Sequence, residues 1–189
     1  MIKLEQPSLA INTFDVPGPE YRMEQTVKLD KYASSIVVLS EIQAAATRSG
    51  QSYLKNVVIN CHGSNGYLYI GEVKSKVPGA NGDVREEFDR EGIGEENLGL
   101  FSLLKGRIGT IWITGCQVSG GSGIVTRSGH TFCPKLAVVA GCNVVAANVY
   151  QIINPLRPVP RNCIHEYDGT ASIWDATGAK QIYQQGKRA

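Results

Sequence analysis

The sequence predicts an α/β fold in which helices flank a central, mostly parallel β-sheet. Three stretches of continuous apolar and β-branched residues, at Asn56–Asn60, Ile108–Thr114 and Val144–Val149, are typical of strands buried on both faces. Helical patterns lie between these stretches, and parallel strands need such crossover connections. Loops emerge together at the carboxyl ends of parallel strands, so we expect a functional site there.

The first half of the chain alternates between strand and helix signals. Segment Ser8–Phe14 has the composition of a short strand, and Asp30 is a cap for a helix that runs to about Arg48. Segment Gly66–Glu72 alternates as a hairpin strand does. Residues 74–92 are charged and contain several glycines, which predicts a solvated loop, with an activation or cleavage segment as the alternative.

The second half continues the same alternation and ends in a hairpin. Glu95–Leu104 predicts a short helix, and Phe132–Ala140 predicts a buried helix that begins near Pro134 and ends at Gly141. A turn at Asp175–Gly178 predicts a C-terminal hairpin, which starts from about residue 164. We expect one domain over residues 1–189.

Composition and charge exclude several classes of protein. The 189 residues carry 19 Lys and Arg against 17 Asp and Glu, a net charge of +2, so the chain lacks the basic field that nucleic acid attracts. The longest apolar run, Leu136–Val149, is too short to span a bilayer, and no signal peptide is visible. Five cysteines, an odd number, argue against a disulfide framework and favour a reducing compartment. We therefore expect a cytoplasmic protein with no nucleic-acid or membrane partner.

A histidine and a cysteine follow two of the predicted strands. His62 and Gly63 end the run VVINCHG, and Cys116 ends the run IWITGC. Nucleophilic catalysis by a thiol needs a base for its proton and donors for the tetrahedral oxyanion. The amides of Gly63 and Cys116 are the expected oxyanion donors, and a glycine beside each reactive residue permits close approach of substrate. This chemistry requires neither a metal ion nor a cofactor.

These two motifs resemble those of the clan CD cysteine peptidases, which include caspases, gingipains, clostripain, separase and the CHAT-domain proteases. In that clan an apolar strand ends in His-Gly, which His62-Gly63 matches, and a later strand ends in a small residue and the catalytic Cys, which Gly115-Cys116 matches. The stretch CPKLAVVAGCNVVAANVYQ resembles the helix–Gly–strand unit after the nucleophile of CHAT domains. The resemblance covers roughly residues 55–151.

The resemblance implies a three-layer caspase-like fold and a thiol protease that hydrolyses polypeptide substrates. Cys116 would attack the scissile carbonyl, and His62 would give a proton to the leaving amine. A chain of this size without regulatory domains is, on this resemblance, expected to be a bacterial stress protease or an effector secreted without a signal peptide.

Two positions depart from the family pattern and leave the substrate preference open. Gly115 stands where many members have Ala, and Thr114 stands where members that cut after basic residues often have Asp. Asp15, just past the first strand, is a candidate for lining a specificity pocket. We expect Asn148, Tyr150 and Gln151 to contact substrate, because they emerge from the third buried strand at the same edge.

Three alternatives stay open from the sequence alone. Cys142 is a rival nucleophile, although it precedes its strand and is therefore expected in the core. The chain is alternatively a binding or scaffold module that keeps the fold without activity, or a non-peptidase hydrolase or acyltransferase that uses the same Cys–His pair. We expect Cys61 to pack beneath the sheet, His130 and His165 to lie on the surface, and the Gly-rich turn Gly120–Gly123 to be a substrate-side loop.

Overall fold

The computed structural model describes residues 1–16, 18–78, 84–120, 128–151 and 158–184. It contains twelve strands, two α-helices and one 3-10 helix within these ranges. In chain order these are β1 (Ile2–Lys3), β2 (Ser8–Asn12), β3 (Gln25–Lys28), α1 (Ser35–Arg48), β4 (Leu54–Asn60), β5 (His62–Ser64), β6 (Tyr67–Pro78), β7 (Val84–Ile93), the 3-10 helix η1 (Leu98–Leu104), β8 (Ile108–Ile113), α2 (Gly129–Ala140), β9 (Asn143–Ala147), β10 (Cys163–Ile164), β11 (Ala171–Trp174) and β12 (Lys180–Gln184).

A seven-stranded sheet forms the centre, in the order β12-β11-β9-β8-β4-β2-β3. Strands β3, β2, β4, β8 and β9 run parallel, whereas the hairpin of β11 and β12 joins β9 antiparallel. Over the three described sheets, five strand pairs are antiparallel and four are parallel. The predicted α/β class is confirmed, but the prediction of a mostly parallel sheet is wrong. The sheet is mixed because the C-terminal chain returns as a hairpin, which needs no crossover connection.

The two faces of the central sheet are covered differently. Successive side chains of a strand point to opposite faces, so Ile59 and Ile113 enter one core, and Val58 and Trp112 enter the other. All three described helices contribute to the first core, through Val38, Leu39, Ile42, Leu98, Phe101, Leu104, Phe132 and Leu136. The second core is closed by non-helical segments that supply Leu4, Tyr21, Met23, Val159, Ile164 and Tyr167. The prediction of a sheet flanked by helices therefore holds for one face only, within the described residues.

The direction in which the chain winds explains this asymmetry. The connections that contain helices, β3 to β4, β4 to β8 and β8 to β9, all advance in the same direction across the sheet. Right-handed crossovers that advance in one direction place their helices on the same face. The step from β2 to β3 goes the other way, and its connection carries Tyr21 and Met23 onto the opposite face without forming a helix.

Helix α1 begins later than the sequence indicated. Its N-cap is Ser34, whereas Asp30 accepts a hydrogen bond from the Tyr32 amide at 2.7 Å and closes a turn before the helix. Tyr32, which precedes the helix, and Ile36, in its first turn, are 58% and 62% exposed. An aspartate followed by a turn mimics a helix cap in the sequence, because the same side-chain oxygen serves both.

Of residues 74–92, predicted as a solvated loop, the described residues 74–78 and 84–92 lie on two long paired strands instead. Strands β6 and β7 pair antiparallel, with Glu72 opposite Arg90 and with Lys74 in an ion pair with Glu86 at 2.7 Å. The charge density that indicated a loop is distributed as opposite charges on facing strands. Because both faces of this ribbon reach solvent, its strands lack the apolar alternation by which strands are recognised.

Helix α2 begins at Gly129, five residues before Pro134, and ends as predicted at Gly141. The side chain of its N-cap, Ser128, accepts a hydrogen bond from the His130 amide at 3.2 Å. Gly141 has a φ of 64° and provides the left-handed C-cap.

Among the described helices, none has the length and apolar character that a membrane span requires.

We expect Gly141→Ala to lower the free energy of unfolding by about 1 kcal/mol, because a β-carbon is disfavoured in the left-handed region. The added β-carbon would also lie 3.1 Å from Cγ of Lys105. Gly99→Ala is the matched control, since a β-carbon there meets nothing within 4 Å and its φ is not positive. Urea denaturation of both variants measures the difference, and equal stabilities would contradict this account of the cap.

Candidate active site

The carboxyl ends of β4 and β8 lie side by side at one edge of the central sheet. The two strands are parallel neighbours, with Val57 opposite Ile111 and Ile59 opposite Ile113. The chain leaves β4 into His62 and leaves β8 into Cys116. The two motifs that the sequence analysis singled out are therefore delivered to the same rim, which we call the Cys–His rim.

A buried hydrogen-bond network holds the strand ends beneath this rim. The side-chain nitrogen Nδ2 of Asn60 donates to Oδ1 of Asn12 at 2.8 Å, and the hydroxyl of Thr114 donates to Oδ1 of Asn60 at 3.0 Å. Asn12 in turn bonds the backbone of Tyr21, donating to its carbonyl at 3.0 Å and accepting from its amide at 2.9 Å. Asn12 and Asn60 are at most 1% exposed. The network links the ends of β2, β4 and β8, so it fixes the positions of these strand ends relative to one another.

Glycines allow the two strand extensions to touch backbone to backbone. A β-carbon added to Gly63 would lie 2.6 Å from Cγ2 of Val118 and 3.1 Å from the carbonyl oxygen of Cys116. One added to Gly115 would lie 3.2 Å from the carbonyl oxygen of Cys61 and 3.5 Å from Cα of Gly63. The separations of 2.6, 3.1 and 3.2 Å are shorter than ordinary contacts of a β-carbon, so both positions favour glycine for its small size and not for its φ.

His62 lies at the start of the three-stranded sheet formed by β5, β6 and β7, opposite Tyr69. Its side chain is 37% exposed, and Nε2 is 4.0 Å from Oδ2 of Asp15. The same Asp15 oxygen lies 3.9 Å from Nη1 of Arg90, and Oδ1 accepts a hydrogen bond from Thr13 at 3.3 Å. Asp15, which was predicted to line a specificity pocket, thus lies between an imidazole and a guanidinium.

Arg90 is the residue of this rim that the sequence analysis missed. Its guanidinium carbon lies 4.8 Å from the centre of the Tyr69 ring, a cation–π contact on the same side of the small sheet as His62. It was assigned to a solvated loop because its neighbours are charged. Recognition that β6 and β7 pair would have found Arg90, because their pairing places Arg90 opposite Glu72.

Cys116 is partly buried, and its sulfur lies near a backbone donor. The amide of Gln151 donates to Sγ of Cys116 at 3.5 Å. The next residue, Gln117, has a φ of 52°, which is uncommon for a residue other than glycine. Its backbone amide donates to the Val149 carbonyl at 2.9 Å. The turn after the thiol is therefore tied to the segment that leaves β9.

The three residues predicted to contact substrate lie on that segment and differ in what their side chains contact. Asn148 accepts a hydrogen bond from the Thr170 amide at 3.2 Å, and the Gln151 carboxamide bonds both the amide and the carbonyl of Asp168 at 3.0 and 3.3 Å. Tyr150 is 67% exposed. The side chains of Asn148 and Gln151 therefore hold a neighbouring loop, whereas the Tyr150 ring is presented to solvent.

The remaining cysteines and histidines differ in exposure. Cys61, Cys133 and Cys142 are buried, and burial raises the pKa of all three thiols, that of Cys142 to about 12. Cys142, the rival nucleophile, thus lies in the core as predicted. His130 is exposed, whereas His165 is partly buried against Tyr21, with Nδ1 3.3 Å from the phenol oxygen. From residue 121 onward, the predicted Gly-rich turn lies outside the described residues.

We expect Asn60→Ala to lower the free energy of unfolding by about 2–3 kcal/mol, because it removes the centre of a buried network together with its bonds to Asn12 and Thr114. Asn148→Ala, which deletes the same group from an exposed position, is the control and should cost less than half as much. Chemical denaturation measures both values. A loss below 1 kcal/mol in Asn60→Ala would show that the network does not hold the strand ends.

We also expect the five thiols to separate by reactivity in the folded protein. At pH 8 iodoacetamide should modify Cys116 and Cys163, because the raised pKa of the buried thiols leaves almost no thiolate there. Cys61, Cys133 and Cys142 should react only after a denaturant is added. Peptide mapping by mass spectrometry distinguishes the sites. Labelling of Cys142 ahead of Cys116 would overturn the assignment of the nucleophile.

The site is defined by a thiol, an imidazole, a carboxylate and a guanidinium gathered at one sheet edge. No group of His, Cys, Asp and Glu side chains suited to holding a metal ion occurs among the residues that the structure describes. Comparisons of the chain with protein-family models, with curated proteins and with solved structures found no match.

Proposed function

We propose that this protein is a cysteine endopeptidase of caspase-like type, built on the caspase-like variant of the α/β fold. Cys116 is the nucleophile, His62 handles the proton, and the amides of Gly63 and Cys116 bind the oxyanion. The substrate is a polypeptide, and the reaction uses no cofactor. The resemblance of His62-Gly63 and Gly115-Cys116 to the clan CD motifs motivates the peptidase class.

One observation supports this proposal above the others, namely the contact between the two strand extensions at the Cys–His rim. Gly63 and Gly115 let the chain after His62 approach the chain after β8 within the distances of backbone packing. An imidazole and a thiol carried by adjacent parallel strands have the rigid placement that nucleophilic catalysis needs. Both side chains are partly exposed, so a substrate has access to them.

The reaction follows from these groups in two stages. His62 takes the proton of the Cys116 thiol, and the resulting thiolate attacks the scissile carbonyl carbon. The carbonyl π-electrons move to oxygen, and the amide donors bind the oxyanion. The oxyanion collapses, the C–N bond breaks, and the amine leaves with a proton from His62, which yields a thioester. His62 then takes a proton from water, whose oxygen attacks the thioester, and the thiolate leaves as the acid product forms.

Asp15 and Arg90 complete the surroundings of the imidazole in this proposal. The carboxylate of Asp15 lies 4.0 Å from Nε2 of His62, a distance that a water molecule can bridge or a small ring rotation can close. Arg90 shares this carboxylate and packs on Tyr69, so it restrains the position of Asp15. In this proposal Asp15 orients His62, and its role in a substrate pocket is secondary, because Thr13 bonds Oδ1 while His62 and Arg90 both lie near Oδ2.

We expect Cys116→Ala to abolish labelling by a peptidyl acyloxymethyl ketone and to lower cleavage of a peptide library at least about 1,000-fold. Cys163→Ala is the matched control, because Cys163 is the other thiol of the described chain that is not buried, and it lies in the separate sheet of β1 and β10, opposite Lys3. Its activity should stay within about twofold of the natural protein.

The outcomes of this experiment separate the proposed function from its two rivals. Labelling at Cys116 without cleavage of any peptide in the library would exclude an endopeptidase and favour a hydrolase or acyltransferase with the same pair. Absence of labelling, with the fold intact by circular dichroism, would favour a binding or scaffold module. Cleavage that persists in Cys116→Ala would exclude Cys116 as the nucleophile.

A further inference from the structure

Gln151 contacts the thiol of Cys116 through its backbone and a neighbouring loop through its side chain, and the proposed reaction uses neither contact. Its backbone amide points at Sγ of Cys116, with the nitrogen 3.5 Å from the sulfur. An N–H donor directed at a thiol sulfur favours the thiolate, since hydrogen bonds to charged acceptors are stronger than those to neutral ones. The direction of this N–H bond depends on what holds residue 151 in place.

Both the nitrogen and the oxygen of the Gln151 carboxamide form hydrogen bonds that hold residue 151 in place. Nε2 donates to the Val149 carbonyl at 3.0 Å and to the Asp168 carbonyl at 3.3 Å, and Oε1 accepts from the Asp168 amide at 3.0 Å. This pattern needs a donor and an acceptor on one planar group. A carboxylate supplies only acceptors, and a thioether supplies no N–H donor.

The loop that Gln151 grips is itself firmly seated. The Asn148 amide donates to the Thr170 carbonyl at 3.2 Å, and the side chain of Asn148 accepts from the Thr170 amide at the same distance. A β-carbon added to Gly169 would lie 2.4 Å from Cγ2 of Val149, so the loop packs closely on the segment that leaves β9. The loop leads directly into β11, which pairs with β9 in the central sheet. Gln151 therefore connects the thiol to a rigid part of the fold.

We infer that Gln151 is a positioning residue for the nucleophile: its carboxamide, clamped on Asp168, fixes the Gln151 backbone amide in line with Sγ of Cys116 and so stabilises the thiolate. This inference rests on the proposed function, because it assigns to Cys116 the role of a nucleophile that acts as a thiolate. It assigns to the C-terminal loop at residues 168–170 a direct influence on the reactivity of the thiol. Residue 151 then acts through Cys116 and does not need to touch substrate.

The test is the pH dependence of alkylation of Cys116 in Gln151→Met. Methionine has nearly the same length and volume but cannot bond Asp168, so the backbone amide loses its support. The background is Cys163→Ser, which leaves Cys116 as the only thiol of the described chain that is not buried. Iodoacetamide is the probe, and peptide mapping measures the rate at Cys116. We expect the pH of half-maximal rate to rise by about 1 unit in Gln151→Met.

Gln184→Met is the matched control for this experiment. Nε2 of Gln184 donates to the Tyr167 carbonyl at 2.9 Å, so the same substitution removes a glutamine bond from the residue next to Asp168. Its alkylation profile should overlie that of the background protein. An unshifted profile in Gln151→Met, or equal shifts in the two variants, would overturn the inference. Circular dichroism verifies folding, and Gln151→Leu, an uncharged side chain that likewise cannot bond Asp168, replaces Gln151→Met if that variant unfolds.

The alkylation profile needs no peptide substrate, so it separates this inference from the proposed function. A shift in Gln151→Met without cleavage of any peptide would support the positioning of the thiol and reject the peptidase. Cleavage that depends on Cys116, together with an unshifted profile in Gln151→Met, would support the peptidase and reject the positioning role.

Discussion

The candidate site depends on the buried hydrogen bonds that join Asn12, Asn60 and Thr114 across three neighbouring strand ends. These polar side chains are enclosed where strands normally carry apolar residues, and an unpartnered amide there would be costly, so the strand ends have one satisfied arrangement. That arrangement sets β4 and β8 in the register from which the chain continues into His62 and Cys116. The thiol of Cys116 and the imidazole of His62 thus take their positions from a polar network to which neither of them belongs.

Two further constraints act outward from this network. The first is steric, because Gly63 and Gly115 lie where a β-carbon would press on the opposing chain. The second is the folding back of the segment after β9, which bonds both the turn after Cys116 and the loop before β11. The thiol is therefore held from both sides, by β8 before it and by the β9 extension after it, whereas the imidazole stands on a separate small sheet with Arg90.

The mixed sheet and its uneven covering have a common origin in the direction of winding. Once the helical connections all advance the same way, right-handed crossovers leave the second face to loops and to the short pair of β1 and β10. The antiparallel hairpin of β11 and β12 then extends the sheet beyond β9 without a further helix. This hairpin brings residues 168–170 next to Gln151, so the departure from a mostly parallel sheet is also what places a support behind the thiol.

Local patterns in the sequence were sufficient for features that depend on short-range physics. The three β-branched runs identified strands that are buried on both faces, Gly141 marked the end of α2, and the residues that follow β4 and β8 supplied the candidate Cys–His pair. Tertiary structure alone decided the start of α1, the pairing of β6 with β7, the mixed sheet, and the meeting of Asp15 with Arg90 at His62. The physical reason is that strand and cap signals lie within a few residues of each other, whereas partners such as Arg90 and Asp168 become neighbours of the site only through strand pairing between distant segments.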